Sequence, residues 1–143
     1  MTDVPLWRLY LMRAMYLLML VGLALIMWPL LFDHPSGWPL MNSVVCAVLV
    51  AVSLLAALGL RYPLRMVPLL LFELVWKAIW LLAIALPLWL EGGALPSDYQ
   101  STVVDTLVGV VLVPIALPWR YLWETYVKAP GDRWLPRRPD APA

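Results

Sequence analysis

The chain has 143 residues, of which 64% are hydrophobic and 13% charged, with a formal net charge of +1 and a mean hydropathy of +0.84. Water-soluble domains are only about half apolar, so this composition points to a protein solvated by lipid. No basic run in the apolar part follows a phosphate backbone, which argues against a nucleic-acid partner. The single cysteine, Cys46, excludes an intrachain disulfide, and the single histidine, His34, excludes the usual zinc or haem clusters, so neither metal nor cofactor is expected.

The first predicted element runs over residues 9–32. Arg8 and Arg13 precede or enter an apolar run that exceeds the core of a signal peptide, and no small-residue cleavage site follows, so a retained first span is expected. The turn-rich link "DHPSGWP" leads to a second span over 40–60, in which Ser43, Ala47 and Ala51 recur every fourth residue. That spacing suits close helix approach, either inside the bundle or between protomers. His34, within the link, reads as an exposed loop histidine.

The link "RYPLR" opens the third span, 66–90, which carries Glu73 and Lys77 near its middle. With Arg65 at the interface, a rise of about 1.5 Å per residue puts Glu73 about 12 Å deep and Lys77 about 18 Å deep. Glu73, Trp76, Lys77, Trp80 and Ile84 fall on one helical stripe, which should face protein. Glu before Lys at i and i+4 is the favourable order of an ion pair, and pairing lowers the penalty of charge in hydrocarbon. Arg13, about 7 to 8 Å deep by the same measure, offers a third member bridging spans one and three, with Tyr16 as a hydrogen-bond partner.

Two readings of this cluster stay open: a polar lock that fixes helix register, or a proton or anion site in which protonated Glu73 frees Lys77 for a substrate carboxylate. Trp76 and Trp80 serve equally as core packing, as cation-π partners of Lys77, or as the wall of a flat apolar ligand site.

The link "EGGALPSDYQS" precedes a fourth span over 103–123. Thr102 and Asp105 form a capping-box pattern with Asp in place of Glu or Gln, so capping is the first reading of Asp105. An outward-facing polar pocket of Asp105 with Asn42 and Ser43 is the second. Gly109, Pro114 and Pro118 predict a kink near residues 110–114. The segment "WRYLWETYVK" either completes the fourth span or turns along the interface as an anchor, and residues 129–143 read as a Pro/Arg-rich cytoplasmic tail drawn to anionic lipid.

Every Lys and Arg except Lys77 falls at the first end, in the link between spans two and three, or at the last end, whereas the two alternate links carry none. By the positive-inside rule both termini are cytoplasmic. Trp28, Trp38 and Trp89 mark the outer interface, and Trp7, Trp119 and Trp123 the inner one. The expected fold is thus an all-α integral membrane four-helix bundle, up-down-up-down, over residues 1–128, in a bacterial cytoplasmic (inner) membrane.

The runs "YLLMLVGLALIMWPLLF" and "RYPLRMVPLLLFELVWKAIWLLAIALP" resemble segments of small four-span bacterial membrane proteins, and the Arg13 to Gly22 arrangement resembles that of DoxX-like four-helix proteins. The likeness covers about two of the four spans and implies no activity and no site residue here.

No GxSxG, HExxH, P-loop or GxGxxG pattern occurs, so no catalytic residue is assigned. The first functional expectation is a non-enzymatic accessory or scaffold subunit that forms a homo-oligomer or binds another membrane protein. The alternative is a small transporter or channel that uses the Glu73 and Lys77 pair for protons, anions or lipid-like ligands. A membrane enzyme acting on a lipid or quinone through Glu73 or Asp105 is a third class.

Overall fold

A computed structural model describes residues 3–33 and 36–131, so His34 and residues 132–143 of the expected tail lie outside the described residues. The described elements are all helical: α1 Leu6–Phe32, α2 Leu40–Arg61, α3 Val67–Trp80, a π-helical turn Leu81–Ala85, α4 Leu86–Gly92, α5 Ser97–Ala116, α6 Trp119–Leu122 and a second π-helical turn Trp123–Lys128. Four stretches are long and apolar enough to cross a membrane: α1, α2, the continuous run Val67–Gly92 and α5.

Proline writes most of the helix starts. Pro5, Pro39 and Pro96 stand at the N-caps of α1, α2 and α5 with φ between −51° and −62° and ψ near 140–150°. The pyrrolidine ring sets φ and lacks an N–H that a first turn would leave unpaired anyway. Gly93 closes α4 in the left-handed region at φ 66°, its N–H on the Trp89 carbonyl at 2.9 Å, where a Cβ would be penalised.

The third apolar run is not one regular helix. Pro87 has no N–H for the carbonyl four residues back and its ring crowds that carbonyl, so the turn before it widens. The Leu86 N–H donates instead to Leu81, five residues back. The π turn was not legible from the apolar pattern, which is uniform across it.

The fourth span is shifted from its expected place. It begins at Ser97, so Thr102 lies inside the helix with its hydroxyl on the Asp98 carbonyl at 3.2 Å, and the capping reading of Thr102 and Asp105 does not hold. α5 runs unbroken through residues 110–114 and Pro114, and it ends at Leu117, whose ψ of 132° is extended, the conformation favoured before a proline. Segment 119–128 is therefore separate from the fourth span.

The chain divides into two compact units, one over Pro5–Leu117 and one containing the residues before Pro5 and after Leu117. In the second, α6 runs directly into the Trp123–Lys128 turn, which ends with the Ala129 N–H on the Glu124 carbonyl at 2.9 Å.

Within the first unit α1 packs along α2, α3 packs along α5, and α1 also touches α5; α2 meets α3 far more sparingly. The α1–α2 seam has a seven-residue rhythm. Arg13 Nε donates to the Leu60 carbonyl at 3.2 Å, Ser53 Oγ to Leu20 at 3.2 Å and Cys46 Sγ to Met27 at 3.5 Å. Each step moves seven residues up one helix and seven down the other, so the helices are antiparallel, and that period is the one of left-handed supercoiled packing. Gly59 admits the ring of Tyr16, whose Cδ and Cγ atoms fill the place of a Cβ, and the Tyr16 hydroxyl donates to the Pro63 carbonyl at 3.0 Å.

Ala47 and Ala51 are exposed, while Cys46, Val50, Val52, Ser53, Ala56 and Gly59 are the buried residues of α2. The small-residue stripe is thus not what joins α2 to the rest of the unit. In the first turn of α1, Arg8 Nη1 donates to the carbonyl of Leu117, the residue that ends α5, at 2.9 Å.

Candidate functional site

Glu73 and Lys77 face α5 from one turn of α3, and Lys77 Nζ lies 2.8 Å from Glu73 Oε2. Glu73 is buried, with 3% of its surface exposed, and Lys77 is largely covered. The ammonium occupies the space a side chain at position 109 would need: a Cβ there would stand 2.6 Å from Nζ. Gly109 therefore lets α5 close over the charge. Its role was hidden in the sequence, where a glycine in an apolar helix reads as a weak point and nothing marks the opposing lysine.

Lys77 Nζ also lies 5.4 Å from the Trp76 ring centroid, within cation-π range. Trp80 stacks on Tyr99 of α5, with centroids 6.0 Å apart and planes at 18°. One face of Trp80 is thus taken by the α3–α5 packing, and Trp76 makes the cation-π contact expected of one of the two tryptophans. Glu73 Oε1 and Trp76 Nε1 are buried with no hydrogen-bond partner among the described residues.

Arg13 does not join this group. Spans one and three do not pack on each other, and Arg13 is engaged with Leu60 and, at 5.7 Å, with the Tyr10 ring. The axial estimate placed Arg13 near the depth of Glu73 but carried no information about which helices are neighbours. Tyr16 is likewise on Pro63, at the α2–α3 link. The expected outer pocket is also not assembled: α2 and α5 share no packing, Asn42 and Asp105 are exposed, and Ser43 Oγ donates to Leu40 within its own first turn at 2.7 Å.

A separate open groove of about 440 Å³ runs beside the π turn, between Leu82, Ala85 and Trp89 on one side and Leu95, Val103 and Leu107 on the other. Its walls are apolar, so it has shape without directional chemistry. No group of three or more His, Cys, Asp or Glu side chains able to hold a metal occurs among the described residues. Comparison with protein-family models, with curated proteins and with solved structures finds no match to this chain.

Proposed function

We propose that this is a multi-pass integral membrane protein with both termini cytoplasmic, in a bacterial inner membrane, acting as a non-enzymatic accessory or scaffold subunit through lateral association. The observation that carries this reading is the Glu73–Lys77 pair, buried, mutually bonded at 2.8 Å and seated against Gly109. Its charges are spent on each other within α3, beneath α5 at Gly109, which leaves the helix flanks as the surface for partners. The exposed Ala47 and Ala51 of α2 are such a flank, since small residues let a second helix approach closely.

Native mass spectrometry of the protein extracted gently from its membrane tests the proposal. A closed homo-oligomer or a stoichiometric second polypeptide is expected, and Glu73→Gln should weaken assembly or stability. A monomer that retains no polypeptide under conditions preserving other membrane complexes would overturn it.

A second reading, a small transporter, draws support from Glu73 Oε1, a buried acceptor with no described donor. It predicts proton flux in liposomes that disappears in Lys77→Met while the fold survives. Flux equal to that of empty liposomes at every pH would end it.

A further inference from the structure

Three arginines are anchored at the passage from α2 into α3. Arg13 reaches the Leu60 carbonyl, placing its guanidinium beside the last turn of α2, and Arg61 follows in the chain. Arg61 and Arg65 both lean on the Tyr62 ring, at 5.4 and 5.7 Å from its centroid. None of the three takes part in the Glu73–Lys77 ion pair, and their described contacts are with a backbone carbonyl and aromatic rings. Like charges gathered in one region repel, and aromatic faces offset only part of that cost.

The chemistry missing from this corner is an anion with several acceptor oxygens. Arg13 uses only Nε on Leu60, leaving its terminal nitrogens available, while Arg61 and Arg65 are exposed. Forked donors of this kind match phosphate oxygens in pairs. The surroundings choose the source of the phosphate. Arg13 lies seven residues into α1, about 10 Å from its start, and the next turns on that side of α1 present Leu17 and Val21, each nearly half exposed. A charged head followed by an apolar track fits an amphiphile, whereas a free anion would use the head alone.

We infer that Arg13, Arg61 and Arg65, with Tyr62, form a headgroup site for an anionic phospholipid whose acyl chain lies along Leu17 and Val21. The inference rests on the membrane reading above but not on the scaffold role. It differs from general attraction to a charged surface in requiring a defined stoichiometry and these arginines.

The test uses the full chain in detergent, titrated with phosphatidylglycerol or phosphatidylcholine and read by native mass spectrometry. Saturable retention of phosphatidylglycerol in preference to phosphatidylcholine is expected, reduced about tenfold or more in affinity in Arg61→Gln/Arg65→Gln. Circular dichroism should show that variant folded, because both side chains are exposed. Equal retention of the two lipids, or unchanged retention in the variant, would overturn the site, and displacement of the lipid by inorganic phosphate alone would reassign it to a free anion. Carbonate extraction separates the two levels: release of the protein from membranes would sink the membrane reading, whereas retention without lipid selectivity would sink only the headgroup site.

Discussion

Lys77 and Gly109 share one volume, so a substitution at either is felt at both. Gly109→Ala pushes on the flexible end of Lys77 and stretches its bond to Glu73, at an expected cost of about 1 to 3 kcal/mol in thermal unfolding in detergent. In Gly109→Ala/Lys77→Met the two costs should not add, since the shorter uncharged side chain no longer needs that space. Glu73→Gln leaves a covered ammonium without its counter-charge and should cost roughly 3 kcal/mol or more, whereas Glu73→Gln/Lys77→Met should be milder. A double variant as damaging as the single one would show that the carboxylate matters for something other than Lys77.

Helix ends in this protein are set by single residues with backbone reasons, and they can be moved. Pro118 disfavours a helical Leu117, so Pro118→Ala should let α5 continue toward Trp119 and raise the helical signal in circular dichroism; an unchanged spectrum would place the cause of the break elsewhere. The α1–α2 seam is a second element-scale feature. Ser53→Ala removes one rung of the seven-residue ladder and should cost about 0.6 kcal/mol, the usual size of a hydrogen bond between membrane helices. Gly59→Leu meets the Tyr16 ring directly and should separate the two helices, read as loss of the folded species in size-exclusion chromatography. The rhythm of that seam could not be read beforehand: Ser53 and Cys46 are seven apart in the sequence, but their partners are backbone carbonyls of ordinary leucine and methionine.

At the scale of the whole molecule, the distribution of basic residues makes a prediction about sidedness. Cys46 is buried, so reporter cysteines can be read against a quiet background. Ser36→Cys and Gly92→Cys, in or beside the links without Lys or Arg, should react with a membrane-impermeant maleimide in intact cells, while Gly131→Cys should react only after permeabilisation. The opposite pattern would invert the topology without touching the fold. Association belongs to this scale too: if α2 is a lateral contact, Ala47→Trp should disperse the assembly seen in native mass spectrometry while leaving the chain folded, because Ala47 faces away from the α1 seam.

By itself the sequence determined four apolar helices and the approximate bounds of the first three, because about 20 apolar residues between proline- and glycine-rich links read the same way in any neighbourhood. It also determined the Glu73–Lys77 pair, whose members are one turn apart on a single helix. Everything that depends on which helix lies beside which was decided by the tertiary structure. Apolar residues surround each span, so periodicity names no unique inner face, and depth along an axis says nothing about lateral position. Arg13 was therefore assigned to Glu73 but belongs to Leu60, Asp105 was grouped with Asn42 across helices that do not touch, and Gly109 became meaningful only once Lys77 was seen against it.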